Sequence, residues 1–270
     1  MGSKFYWAYT LLFFLGSILN AQNYNEVVEK IRAKNGISEM ITYKVDVSTG
    51  DSLLIDHNWY RPDGQLLKDV RYNDEGTERY RYDLTYDENG FLKEQKGYKF
   101  GELSTVLSYV YDKVGNRTQN LQHSPDGKLL IHQKRIFDEK GQNTELYNRN
   151  RDNGTFYKAA TYEYNSEGKY SRTYYYNDAE QLVRISESKH QRTKKGYRVK
   201  IYETLGNQRR SLILINSYND QGLILERNRL SRKERLVYTY DNDGNLIEEV
   251  SYSNDIPSSM LKYVYSKFGE

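Results

Sequence analysis

The sequence predicts an all-β protein: a long antiparallel meander of about nine hairpin repeats, each about 26 residues long, twisted or coiled into a strip or solenoid-like sheet. Three observations predict it. Glycines recur in two interleaved series, the stretches between them alternate polar and apolar residues, and tyrosine supplies most of the aromatic surface.

Residues 1–21 read as a targeting segment. Lys4 gives a positive start, Phe5 to Leu19 is an apolar run, and Ala21 offers a cleavage point before Gln22. That run falls short of the roughly 20 apolar residues a spanning helix needs, and no second run follows. The mature chain is therefore expected to be exported and not membrane-spanning: secreted, periplasmic or associated with the cell surface. Within residues 22–35, Val27, Val28 and Ile31 stand at helical spacing, which predicts a short N-terminal helix capping the first strand. Residues 36–270 are the repeat domain.

Ten glycines form the first series: Gly36, Gly64, Gly90, Gly115, Gly141, Gly168, Gly196, Gly222, Gly244 and Gly269. Six more sit half a period away: Gly50, Gly76, Gly101, Gly127, Gly154 and Gly206. The second series has gaps near Glu180, Glu234 and Ile256, each beside a turn-like group, and beyond the targeting segment Gly97 alone falls outside both series. A meander produces this pattern, with one series along each edge where the chain reverses. Between turns, stretches such as Leu84-Thr85-Tyr86 and Tyr238-Thr239-Tyr240 alternate in the manner of strands. In Tyr86-Asp87-Glu88-Asn89-Gly90, the Asp carboxylate can accept backbone N–H groups of a type I turn, and Gly supplies the positive φ that ends it. Pro62 and Pro125 preset φ ahead of the same Asp-Gly pair.

Composition bounds the rest. The chain has 28 tyrosines, is 14% aromatic and only 37% hydrophobic, with a mean hydropathy of −0.91. Disordered chains are poor in aromatic residues, so this polar chain is expected to fold around half-buried tyrosines. Forty Lys and Arg against 37 Asp and Glu give a net charge of +3, too balanced to call for a nucleic-acid partner. The absence of Cys excludes disulfides, thiolate metal sites, Cys nucleophiles and a lipid-bearing Cys.

Nine times an aromatic residue is followed by a polar one and, usually, a Gly three further on; the aromatics are Tyr72, Tyr86, Tyr111, Phe137, Tyr164, Tyr176, Tyr218, Tyr240 and Tyr265. The fullest instance is Tyr238-Thr-Tyr-Asp-Asn-Asp-Gly-Asn-Leu246. This pattern resembles the YD repeat of the Rhs and teneurin shell proteins, and the likeness runs from about residue 36 to the end. The resemblance implies hairpins coiled into a spiral strip. No counterpart of the large members' core segment, self-cleavage site or C-terminal toxin stands in the sequence, and Gly269-Glu270 reads as a turn without its return strand.

No motif for a catalytic, cofactor or metal site stands out. His57, His123, His132 and His190 are scattered over different repeats, and the recurring carboxylate pairs sit at turns, where capping accounts for them. Two features could bind. Lys189, Arg192, Lys194, Lys195, Arg198 and Lys200 form a basic run able to hold an anionic ligand, or else a solvated hairpin tip. Tyr174 with Tyr176, and Tyr238 with Tyr240, each place two aromatics on one face, as sheet packing or as a platform for sugar rings. The expectation is a non-catalytic exported protein presenting an extended β surface to carbohydrate or to envelope or protein partners. The alternative is a remnant or partial shell component of a YD-repeat toxin-delivery system.

Overall fold

A computed structural model describes residues 18–270. The expected targeting segment, residues 1–21, lies outside the described residues except for its last four, which open helix α1 (Ile18–Asn35). Strands follow in hairpin order: β1 (Ile37–Val45), β2 (Ser52–Tyr60), β3 (Leu66–Tyr72), β4 (Glu78–Tyr86), β5 (Leu92–Lys99), β6 (Glu102–Tyr111), β7 (Arg117–His123), β8 (Leu129–Phe137) and β9 (Asn143–Arg149). The second half is β10 (Phe156–Tyr164), β11 (Tyr170–Tyr176), β12 (Leu182–Thr193), β13 (Gly196–Leu205), β14 (Ser211–Tyr218), β15 (Ile224–Arg229), β16 (Glu234–Tyr240), β17 (Leu246–Ser253) and β18 (Ile256–Lys267).

Every strand pairs antiparallel with its sequence neighbours, and β18 also pairs with β1 through Met40 opposite Tyr265 and Thr42 opposite Tyr263. The sheet is a closed 18-stranded barrel, which overturns the expected strip or solenoid. Open, strongly twisted sheets rarely exceed about ten strands, and closure removes both bare edges. The seam explains the last turn as well. There β18 pairs with β1 up to Lys267 opposite Ile37, and the Phe268 N–H donates to the Gly36 carbonyl at 2.9 Å.

The two glycine series become the two rims. All sixteen glycines have positive φ, and the vacant slots are filled by Glu180 (φ +56°), Lys233 (+50°), Asn254 (+49°) and Asp255 (+63°). Gly97 differs because it serves packing: a β-carbon there would lie 2.7 Å from Thr105 Oγ1 and 3.4 Å from the Tyr82 ring.

The aromatic-polar turn motif has two separable physical roles. Its Asp or Asn caps the turn. Asp87 Oδ1 accepts the N–H groups of Asn89 and Phe91 at 3.0 and 2.8 Å, and Asn73, Asp112, Asp138, Asn165, Asn177, Asn219 and Asp241 repeat the pattern. The first-series tyrosine ties its strand to the preceding turn. Tyr86, Tyr111, Tyr164, Tyr240 and Tyr265 donate their hydroxyls to the carbonyls of Leu66, Leu92, Asn143, Ile224 and Leu246 at 2.6–3.0 Å. Each acceptor stands two residues beyond the preceding glycine of the series. Strands joined only at the far rim are thereby stapled at the near one.

Paired residues share a face, so the register separates lumen from outer wall. One inward row runs Arg135, Leu146, Ala160, Tyr175, Arg184, and Leu146 and Ala160 in it are buried. A second buried cluster gathers Val199, Ile201, Tyr218 and Ile224. Eighteen strands about 4.8 Å apart and tilted as barrel strands are enclose more space than one layer of side chains fills.

Helix α1 lies on the first-series rim and occupies part of that space. Tyr24 reaches Tyr240 (hydroxyl to hydroxyl, 3.4 Å), Val27 and Ile31 lie against Gly222 and Gly244, and the Arg32 guanidinium sits 4.3 Å over the Tyr60 ring. These residues recur every three or four positions, the spacing of one helical face. Asn35 Nδ2 donates to the Asp243 carbonyl and to Asn245 Oδ1 at 3.1 and 2.8 Å. At Gly64 the helix passes so close that a β-carbon would fall 2.1 Å from the Glu29 carbonyl oxygen.

Candidate functional site

The helix covers only one side of its rim. Between it and the rim turns running from β3 round to β14 lies a cavity of about 840 Å³. Asn25, Glu26 and Glu29 form the helix side, while Tyr86, Tyr111, Tyr162, Tyr164 and Tyr170 form much of the facing wall. The turn motif puts them there. Three of these five are stapling tyrosines, and the staple fixes each ring inward at the mouth. Tyr170 meets Tyr162 and Tyr164 edge to face, with ring centroids 5.4 and 4.8 Å apart. Phe91 stacks on Tyr111 at 4.8 Å. Burial pushes the Tyr164 hydroxyl up to about 12 and the Tyr162 and Tyr170 hydroxyls higher still, so all three stay neutral donors.

Two arginines stand beneath this aromatic wall. Arg117 opens β7 and lies 5.1 Å from the Tyr109 ring centroid; Arg135 lies one strand further on. Burial, with Arg117 adding repulsion, pushes Arg135 down to about 10. Among the described residues neither arginine forms an ion pair. Gln65 Oε1, Arg135 Nη1 and His190 Nδ1, all on cavity-lining residues, are buried with no hydrogen-bond partner among the described residues. His190 Nε2 lies 3.1 Å from the Tyr170 carbonyl, and burial holds its ring below the usual imidazole pKa.

Asp56, Asp69 and Arg71 form a second polar cluster on the lumen face of β2 and β3. Arg71 Nη2 reaches Asp69 Oδ2 at 2.8 Å, while its Nε is 3.9 Å from Asp56 Oδ2. One guanidinium serves two carboxylates unequally. Burial and the Asp69 charge push Asp56 up to about 7.

The structure scatters the residues singled out from the sequence. Of the basic run, Arg192 lines the cavity mouth and pairs with Asp220 at 2.7 Å, Lys194 and Lys195 form a hairpin tip, and Lys189, Arg198 and Lys200 project outward. Tyr174 and Tyr176 also face outward, where Tyr174 accepts from Arg172 and donates to Glu163. Tyr238 and Tyr240 face the lumen, and Tyr240 is a stapling residue. Sequence reasoning missed Arg117 and Arg135, although a signal existed. Arg135 stands two residues before a motif aromatic, a position held in other first-series repeats by Leu84, Tyr109, Tyr162, Asn216, Tyr238 and Tyr263; Arg117 stands two residues after a first-series glycine, where other repeats have uncharged residues such as Leu66, Leu92, Asn143, Tyr170, Ile224 and Leu246.

The outer wall is lined with paired charges at mid-strand height, including Lys96 with Glu94, Lys158 with Glu145, and Arg172 with Glu187. On a lipid face each Lys or Arg at the midplane would cost about 2–4 kcal/mol. Among the described residues no helix is long and apolar enough to cross a membrane.

No protein-family profile matches the chain, and none of the curated proteins matches it as a relative. Among solved structures, a porin-like protein from Bacteroides uniformis is similar at 13% identity and a TM-score of 0.42, over 85% of this chain and 96% of that one. A TcdB2–TccC3 structure is similar at 11% identity and a TM-score of 0.24, with 79% of this chain matching 18% of the other. The Photorhabdus luminescens Tc holotoxin pore gives 12% and 0.24, over 84% and 15%. At these scores the likenesses say nothing about activity.

Proposed function

We propose that the protein is an exported, water-facing binding barrel that takes an oligosaccharide into its helix-rim cavity. The observation that carries this reading is the cavity wall itself: a row of tyrosines, three of them held inward by staples, beside buried polar atoms that have no partner among the described residues. Aromatic faces suit the apolar faces of sugar rings, and hydroxyl, amide and imidazole groups suit their hydroxyls. A binding surface spread along an open strip has no place in a closed barrel, so the proposed site moves from the sheet's length to its mouth. The charge-paired outer wall supports a soluble protein in an aqueous compartment, and the N-terminal targeting segment supports export.

A glycan array probed with the purified protein tests the reading. Binding to a defined set of oligosaccharides is expected, and Asn116→Trp, which places a large ring at the cavity mouth, should abolish it. An empty array, or equal binding by the variant, refutes the cavity as a glycan site.

A further inference from the structure

Arg117 and Arg135 occupy inward slots that most other repeats fill with uncharged residues, commonly Leu, Ile or Tyr and, at Asn143 and Asn216, an amide. Replacing an apolar lumen residue with a guanidinium is costly unless the charge is matched, since an unpaired buried ion costs several kcal/mol even after relaxation. Several other lumen arginines are matched by a carboxylate. Arg71 meets Asp69, Arg184 meets Glu203 at 3.5 Å, and Arg229 meets Glu234 at 2.6 Å. Among the described residues Arg117 and Arg135 have no such partner; they repel each other and lie on adjacent strands at the cavity. The tyrosines beside them are neutral: the Tyr109 ring gives Arg117 a modest cation–π contact at 5.1 Å but supplies no countercharge.

We infer that the Arg117–Arg135 pair is an anion clasp, and that the cavity's ligand is an acidic oligosaccharide bearing a carboxylate or sulfate group. This rests on the glycan-binding reading above and narrows it to a chemical class. A guanidinium presents N–H donors in a planar fork that fits both anions in two-point fashion. Two such forks beneath an aromatic wall would hold a sugar by its ring faces and its charge together. The carboxylates Glu26 and Glu29 on the helix side repel the same charge, which orients the acidic group toward β7 and β8.

The test measures binding of three oligosaccharides of matched length by calorimetry: neutral, uronate-containing and sulfated, with inorganic sulfate alone as a control. Acidic oligosaccharides should bind at least tenfold more tightly than the neutral one, and Arg135→Met should lose roughly 10- to 100-fold in acidic-ligand affinity, so that its preference for acidic over neutral sugar collapses. The variant has a second readout. Removing an unmatched charge should raise its thermal midpoint or leave it unaltered. Equal binding of neutral and acidic sugars overturns the clasp and spares the glycan site. Failure of every sugar removes both. A marked fall in the Arg135→Met midpoint would assign the arginine a structural role and overturn the clasp too; the uronate and sulfate arms decide which anion it fits.

Discussion

Replacing Gly64 with Ala tests whether the helix is docked as described. Ala at Gly64 incurs two penalties that can be separated. The first is conformational: φ is +83°, and a left-handed non-Gly residue costs about 1–2 kcal/mol. Gly90 sits in an equivalent turn at φ +81° with nothing within 4 Å of its would-be β-carbon, so Gly90→Ala carries that first penalty alone. The second is steric. At Gly64 the added carbon would lie 2.1 Å from the Glu29 carbonyl oxygen and 3.0 Å from the Ala33 nitrogen, both backbone atoms that no rotamer change can clear. Helix α1 must shift by an ångström or more, weakening the Arg32–Tyr60 and Tyr24–Tyr240 contacts. Overpacking of this kind adds about 1–3 kcal/mol. Gly64→Ala should therefore be about 2–5 kcal/mol less stable than the parent, and Gly90→Ala about 1–2. Urea unfolding followed by circular dichroism gives both values, and limited proteolysis near Gly36 reports release of the helix. Equal losses for the two variants, with no change in cleavage, would refute the docking.

Three further outcomes follow from the same geometry. Asp56 holds its proton in the fold up to about pH 7 but loses it near 4 when unfolded, so its contribution to stability declines as pH rises through that window. Asp56→Asn should match the parent near pH 4 and exceed it by up to about 4 kcal/mol above pH 7, read from urea midpoints across pH. Tyr240→Phe removes the hydroxyl that satisfies the Ile224 carbonyl and should cost about 1–2 kcal/mol, whereas Tyr174→Phe on the outer wall should cost under about 0.5 kcal/mol. Asp87→Ala deprives two turn N–H groups of their acceptor and should cost about 1 kcal/mol, with faster hydrogen exchange at Phe91 than at the equivalent Asn116.

The local structure was legible because its causes are local. Positive φ at Gly90 and the bonds from Asp87 to Asn89 and Phe91 involve five consecutive residues, so glycine spacing and the Asp-x-x-Gly pattern announce them. The staple from Tyr86 to Leu66 was present in the sequence as a constant offset but carries no compositional mark. Closure was not legible at all. The pairing of Met40 with Tyr265 joins strands at opposite ends of the chain, and an open meander would show the same spacing. The candidate site was missed for a related reason. Clusters along the chain, such as Lys189 to Lys200, alternate between faces and disperse in the fold, while Arg117 and Arg135 converge only through the register of β7 and β8. Which face is inward depends on closure, so the lumen could not be read before the barrel was.

The position of α1 has a consequence for how the chain reaches this state. Bringing strands more than two hundred residues apart together costs about 5 kcal/mol of loop entropy, so hairpins will assemble first into an open strip with two bare edges. Such a strip could as readily pair with another copy as with itself. On the far side of the seam α1 grips Tyr240 and the turn around Gly244, and on the near side it lies over Gly64. It therefore acts as a strap laid across the join, directly ahead of β1 in the chain. Loosening that strap should favour strand-exchanged dimers over monomers during refolding, making a helix contact the determinant of whether the barrel closes on itself.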